Sequence, residues 1–348
     1  DAPRGRTRAA AVAALRVLRP RFYSYNVGAE DEAAGRAAPK NFQTLRRDLA
    51  QLPWVLGRPG DLVEAPPLPP ALRERLAAAG ATDLPEFGAA APDGYVAAPW
   101  AAVGGDHLKR SGVARYRDDV RLCETKDDVA DAVARFDDAL IKAEYSSSGL
   151  GQRAVAGGLS DEDARWVANR LRRDGIVTVE PRYELVAEFS AEWRDGAWCG
   201  VSRCLVDNGR WRGQALGDPA TDAALADEVC AFVFGERELE RFARRLDVPG
   251  TCGAETCGVD VGVIRGAAGL ELRLLECNAR TTMSHVALAA KRRVPAATRF
   301  LVVPVRELRP EHLPLTDPAG ADFVAALELE DGAGGPFLDG ADDLDDTG

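Results

Sequence analysis

The stretch from Cys252 to His285, CGAETCGVDVGVIRGAAGLELRLLECNARTTMSH, constrains this chain most. Two runs, Gly258 to Ile264 and Leu270 to Cys277, flank a Gly- and Ala-rich break. Runs of this composition around a short small-residue break predict two antiparallel strands joined by a turn. Centring the turn on Ala268 places Asp260 opposite Glu276, each eight residues from the centre. Side chains alternate along a strand, so Asp260, Glu276, Asn278 and Arg280 share one face if the strand continues. Val259, Val261, Val263 and Leu275 then point the other way, into a core. Two carboxylates placed opposite one another repel unless something positive sits between them. Two readings are open at this point. One is a hard dication such as Mg²⁺, which suits an oxygen-rich pair plus an Asn amide. The other is a solvated acidic patch on an exposed sheet face.

A second stretch, Asp138 to Arg153, reads DALIKAEYSSSGLGQR. A short apolar strand delivers Lys142 into a loop of Ser and Gly. Gly149 and Gly151 let the backbone bend close to a ligand. Successive N–H groups there can cradle phosphate oxygens, and the hydroxyls of Ser146, Ser147 and Ser148 can add to them. Lys142 would supply a point charge for a phosphate. The loop is neither a Walker loop nor a dinucleotide fingerprint, since both glycine patterns are missing. An ordinary loop is the competing reading. The third stretch, Ile176 to Glu180, reads IVTVE and predicts a strand that ends at Pro181, because proline cannot extend a ladder. An extended pattern resumes from Tyr183 to Trp193. Such a transition, at Val179 and Glu180, exposes backbone groups that could read an adenine edge; an ordinary domain connection is the alternative.

Taken in order, these stretches resemble the ATP-grasp superfamily over residues from about 106 to 300. The order is a strand-borne Lys with a Ser/Gly loop, a hinge with Glu and Pro, an Asp strand, and then E-x-N-x-R. About forty residues separate Lys142 from Glu180, and about eighty more lead to Asp260. The run Glu276-Cys277-Asn278-Ala279-Arg280 looks like the carboxylase and carboxylate–amine ligase version of the signature. The resemblance implies an α/β (α+β) ATP-grasp fold. Residues 1–105 would form a small N-terminal α/β pre-ATP-grasp domain, and 106–178 a lid subdomain. Residues 179–330 would form a C-terminal antiparallel-sheet subdomain carrying the metal site.

The resemblance also implies roles. Lys142 would bind ATP phosphates and act in catalysis. The segment with Ser146, Ser147, Ser148, Gly149 and Gly151 would be a flap over them. Val179 and Glu180 would line the adenine and ribose pocket. Asp260, Glu276 and Asn278 would hold two Mg²⁺ ions, and Arg280 would stabilise developing negative charge. One departure stands out: the family's upstream ATP-binding lysine has only Lys109 and Arg110, in HLKRSGV, as poorly matching candidates. The implied activity is ATP- and Mg-dependent ligation of a small-molecule carboxylic acid to an amine through an acylphosphate, with release of ADP and phosphate. The alternatives are an ATP-grasp kinase acting on a hydroxyl and a non-catalytic ATP-binding sensor. Many relatives are dimers, so a homodimer belongs among the expectations.

Composition sets the outer bounds. The 348 residues are 46% hydrophobic, enough for two or three sub-domains around real cores. The net charge of −11 disfavours nucleic acid, which wants a basic surface. Part of that acidity is the tail at 331–348, expected to be disordered. The apolar runs are too short for a membrane span, and no signal peptide is visible at Asp1. Seven cysteines without C-x-x-C, and only three histidines, argue against a zinc site. Reduced thiols in a cytoplasmic protein are the expectation. Cys257 and Cys277 read as buried structural thiols.

The remaining punctuation is clear. FYSYNV and LPWVLG predict short strands, and PPALRERLAAAG a helix closed by Gly80. Thr125 predicts an N-cap for DDVADAVARFDDA. Ser160 predicts another, with Asp163 three residues on and Gly175 as the stop. Asp195-Gly196 and Asn208-Gly209 predict hairpin turns. Residues 220–247 and VALAAKRRV read as helical.

Overall fold

Three sheets organise the described residues, and local signals place each of them. The computed structural model describes residues 19–28, 37, 40–99, 111–145, 151–207, 210–217, 225–234, 237–249, 254 and 256–330. Lys109, Arg110, Ser146, Ser147, Ser148, Gly149, the Asn208-Gly209 turn and the 331–348 tail lie outside the described residues.

The first sheet is parallel, with strand order β3-β2-β1-β4. Its strands are β1 (Arg21–Ser24), β2 (Leu62–Glu64), β3 (Glu86–Gly88) and β4 (Val96–Pro99). Helices α1 (Lys40–Asp48) and α2 (Pro70–Ala78) belong to the same unit. Proline in its first turn starts α2, and Gly80 at φ 106° ends it. LPWVLG is not the expected strand: Leu52–Val55 is a buried 3-10 turn. All four of its residues are buried, so no period-two pattern exists to hold a strand, and Pro53 lacks the N–H a ladder needs.

The second sheet has the order β5-β8-β6-β7. It contains β5 (Arg121–Cys123), β6 (Asp138–Ala143), β7 (Gln152–Ala156) and β8 (Val177–Pro181). Helices α3 (Lys126–Val133) and α4 (Asp161–Asp174) pack on it through Val129, Val133 and Val167. Both open with the expected caps, Thr125 with Asp128 and Ser160 with Asp163. Each pair satisfies two orphan N–H groups reciprocally. Gly175, at φ 77°, closes α4. Strand β8 ends at Pro181 as expected, and Pro181 itself pairs with Ala139 as the last strand residue, where the missing N–H costs no ladder bond.

The third sheet has eight strands in the order β13-β12-β9-β10-β11-β14-β16-β15. These are β9 (Leu185–Arg194), β10 (Ala197–Asp207), β11 (Arg210–Ala215), β12 (Cys257–Gly266), β13 (Gly269–Asn278), β14 (Ala297–Pro304), β15 (Leu313–Pro314) and β16 (Phe323–Leu329). Asp195 and Gly196 turn β9 into β10 with positive φ at both positions, as expected of a two-residue hairpin. Helices α5 (Asp227–Phe234) and α6 (Glu238–Arg245) cover one face against Val259, Val261 and Val263. Helix α7 (Met283–Arg293) lies against β9, β10 and β14. Trp193 and Trp198 stack edge to face within this sheet, with ring centroids 4.9 Å apart, which fits a packing role.

The N-terminal unit shares its core with the large sheet. Trp54, Leu52 and Leu76 join Phe300, Ala325 and Val286 in one apolar cluster. The Trp54 indole N–H donates to the Leu315 carbonyl at 2.8 Å. Arg293, at the end of α7, lies over the Trp54 ring and donates to the carbonyls of Val55 (2.9 Å), Asp83 (2.6 Å) and Gly57. A guanidinium can serve several carbonyls at once; an ammonium of the same charge lacks that fork. Among the described residues no helix is long and apolar enough to cross a membrane. Arg293→Ala is expected to lower stability by about 2–4 kcal/mol in urea unfolding, and Arg293→Lys is expected to recover only part of the loss.

Candidate functional site

The carboxylate hairpin carries the register expected at the site, by a different route. Asp260 faces Glu276 across the ladder. The turn, however, centres between Ala267 and Ala268, since Gly266 pairs with Gly269. A bulge between Asp260 and Val261 takes up the difference. Val261 pairs with Leu274, so Leu274 rather than Leu275 enters the apolar cluster. Leu275 is the extra residue and stands beside Gly262. Strand β13 ends at Asn278, so Arg280 lies in the turn before α7 and does not continue the strand face. Its Nη1 donates to the Thr281 carbonyl at 3.0 Å.

Asp260, Glu276 and Asn278 converge. The Asn278 amide N–H₂ donates to Asp260 Oδ2 at a long 3.4 Å. Asn278 Oδ1 is buried and has no hydrogen-bond partner. A buried carbonyl oxygen without a donor, beside two carboxylates, fits a hard cation better than it fits water-free packing. Among the described residues no three His, Cys, Asp or Glu side chains are arranged to hold a metal. The donor set is therefore two carboxylates and one amide, which suits Mg²⁺, an ion that keeps waters and substrate phosphates as its other ligands.

A layer beneath these groups went unread in the sequence. Ser190 on β9 pairs with Asp260 and also with Ser202 on β10. Its Oγ lies 2.7 Å from Asp260 Oδ1 and 2.8 Å from Glu192 Oε1. Glu192 is fully buried. Its Oε1 accepts the Thr282 hydroxyl at 2.7 Å, and its Oε2 lies 2.8 Å from His285 Nδ1. His285 Nε2 faces the Trp193 carbonyl at 2.8 Å, so that nitrogen carries a hydrogen. His285 also stands at the third position of α7 and completes the cap that Thr282 begins. The signal available was YELVAEFSAEW, in which Glu188, Ser190 and Glu192 alternate with apolar residues.

The lid presents its own charged cluster. Residues Lys142 and Thr178 pair across β6 and β8, as do Leu140 and Glu180. Alternation therefore brings Lys142 and Glu180 to one face, away from the core residues Ile141 and Val179. The two are buried and form an ion pair. Val179 does not join them: its side chain is in the lid core, and it pairs with both Arg121 and Ile141. Gly151, at φ 73°, starts the return, and its carbonyl accepts the Ala143 N–H at 2.8 Å.

Arg117 is the central cation that sequence reading missed. It donates to Glu180 Oε2 (2.8 Å), to the Leu274 carbonyl on β13 (2.9 Å), to Asp119 Oδ1 (2.9 Å) and to the Tyr183 hydroxyl (3.2 Å). It thus ties the lid sheet to the strand that carries Glu276. Burial acts to raise the Asp119 carboxyl, but hydrogen bonds from Arg117 and Tyr183 outweigh it and hold the group below its ordinary value. Tyr25 moves the opposite way: burial raises its phenol, against the charge of Arg280. A carboxyl with a depressed folded pKa adds stability above its unfolded value and loses it as pH falls through the folded one. Asp119→Asn is expected to remove part of the stability lost on acidification below the ordinary carboxyl value of 3.8, as read by thermal melts across pH.

No protein-family model matches the chain, and no curated protein does. Solved structures are similar to it at low identity. N5-carboxyaminoimidazole synthetase from Staphylococcus aureus, complexed with ADP, has a TM-score of 0.41 and 10% identity, covering 61% of this chain and 62% of that one. D-cycloserine synthetase DcsG has a TM-score of 0.34 and 16% identity, covering 53% and 70%. The ATP-grasp ligase PsnB, complexed with a minimal precursor, has a TM-score of 0.28 and 17% identity, covering 46% of each. The chain spans 62% of the length of the first of these. The last of the three is described as an ATP-grasp ligase. The expected α/β layout is observed, with a small parallel sheet, a four-stranded antiparallel lid and a large antiparallel sheet bearing the carboxylates.

Proposed function

We propose that the chain is an ATP- and Mg²⁺-dependent ligase that joins a small carboxylic acid to an amine. The observation that carries this reading is the face-to-face pair Asp260 and Glu276 beside the unpartnered oxygen of Asn278. The buried Lys142 on the lid and Arg280 on the turn support it, as cations for a polyanionic substrate.

The chemistry faces a charge problem. A substrate carboxylate oxygen must attack the γ-phosphorus of ATP, and the bond from that phosphorus to the bridging oxygen breaks to release ADP. The amine nitrogen then attacks the acyl carbon, phosphate leaves, and the nitrogen loses a proton. Mg²⁺, held by Asp260, Glu276 and Asn278, would supply charge neutralisation on the phosphates. Lys142 would leave Glu180 to meet the phosphates, and Glu180 would keep its bond to Arg117. Arg280 would stabilise negative charge on the transferring and tetrahedral groups. The segment with Ser146, Ser147, Ser148, Gly149 and Gly151 would exclude water, because a free acylphosphate hydrolyses. Glu180 is proposed for the adenine and ribose end; Val179, buried and paired on both sides, is not.

The direct test is ADP release with Mg²⁺ and a panel of acids and amines, with mass spectrometry of the products. ADP formed only with a specific acid and amine, with a product lighter than the pair by one water, supports the ligase. A phosphorylated hydroxyl product would point to a kinase, and tight ATP binding without turnover by any pair to a sensor. Glu276→Gln and Asp260→Asn are each expected to lower ATP turnover at least 1,000-fold, with far-UV circular dichroism unchanged. Wild-type turnover in both would remove the metal assignment. Arg280→Ala is expected to reduce kcat more than ATP affinity; a pure affinity loss would remove its role in the transition state.

A further inference from the structure

We infer that Ser190, Glu192 and Thr282 are positioning residues, a buried brace that holds Asp260 and the Arg280 turn in the geometry the dication site requires. This rests on the ligase reading and concerns the same site. Glu192 Oε1 is the meeting point. It receives the Thr282 hydroxyl at 2.7 Å and stands 2.8 Å from Ser190 Oγ. Ser190 Oγ in turn stands 2.7 Å from Asp260 Oδ1. The single Ser190 hydrogen is shared between Asp260 Oδ1 and Glu192 Oε1, and the same Glu192 oxygen accepts from Thr282, so β12, β9 and the N-cap of α7 meet around one carboxylate oxygen.

The link acts on two functional groups at once. At Asp260, the Ser190 hydroxyl occupies one lobe of Oδ1 and Asn278 approaches Oδ2. The carboxylate is thereby held at both of its oxygens. At Arg280, the turn of residues 279–281 is held at both ends. Asn278 ends β13 at one end, and Thr282 is anchored to Glu192 at the other. Thr282 Oγ1 also accepts the His285 N–H at 3.4 Å, so releasing the anchor loosens the start of α7.

Stability alone does not account for a carboxylate buried this deeply. Apolar residues of similar size serve packing at least as well as a buried charge. A connected polar network instead fixes one arrangement of its members. The sheet also makes room for it. Gly258 pairs with Glu192, and a Cβ at that glycine would overlap the Glu192 carboxylate.

The test uses the full chain with ADP present and Mn²⁺ as the probe, titrated by electron paramagnetic resonance. Ser190→Ala is expected to weaken Mn²⁺ binding about 10- to 100-fold while the melting temperature stays at the wild-type value. Its ADP-forming rate is expected to recover at high Mg²⁺, whereas that of Asp260→Asn does not. Thr282→Val is expected to weaken Mn²⁺ binding and lower kcat, and Thr282→Ser to restore both. Wild-type Mn²⁺ affinity in Ser190→Ala overturns the brace and leaves the ligase reading intact. So does a loss of binding that tracks a lowered melting temperature in every variant. Failure of the wild type to bind Mn²⁺, or unchanged binding in Asp260→Asn, overturns the dication site and the brace together.

Discussion

Asp260 and Glu276 stand across from one another on neighbouring strands, and like charges at that spacing repel. The register cannot slip to relieve them. Val259, Val261 and Val263 fill the core beneath α5 and α6, and a shift of one residue would turn all three outward. The repulsion has to be met on the spot. The Ser190 hydroxyl and the Asn278 amide meet part of it, and a cation would meet the rest. The apolar face of the hairpin thus enforces the charge arrangement of its polar face.

The lid answers with the opposite sign. A buried ammonium without a counter-charge is costly, so Lys142 rests against Glu180. The same carboxylate also holds Arg117, which reaches across to the Leu274 carbonyl. An anion that draws Lys142 away does not strand Glu180, because Arg117 remains. Glu180 thus has two cationic partners, and loss of one would not leave it a lone buried charge, the condition under which such pairs become expensive.

The sequence exposed the hairpin, the Lys142 strand and the helix caps because each is a local pattern. Thr125 and Ser160 are legible as N-caps from the residues that follow them, Ser160 with Asp163 three residues on. LPWVLG was misleading because an all-apolar run has no period, and burial on all sides suits a tight turn as well as a strand. Strict alternation puts Leu275 in the core, where the structure has Leu274. The doublet Leu274-Leu275 breaks that alternation and marks the bulge. Arg117 and Glu192 could not be ranked from sequence. Their partners, Leu274 and Thr282, are distant in the chain, and only the sheet order brings them together.

The bulge at Asp260 has a consequence for how this hairpin can be rebuilt. Beyond it, the ladder from Val261 to Gly266 runs in a register shared by the core residues Val261 and Val263 and the Ala267-Ala268 turn. Before it, the ladder runs in a register set by the core and the acidic pair. The two halves meet at a single slack residue, Leu275. The tip is accordingly separated from the acidic pair by the bulge. A short peptide tag or reporter spliced between Gly266 and Gly269 would extend an outer ribbon without moving either carboxylate.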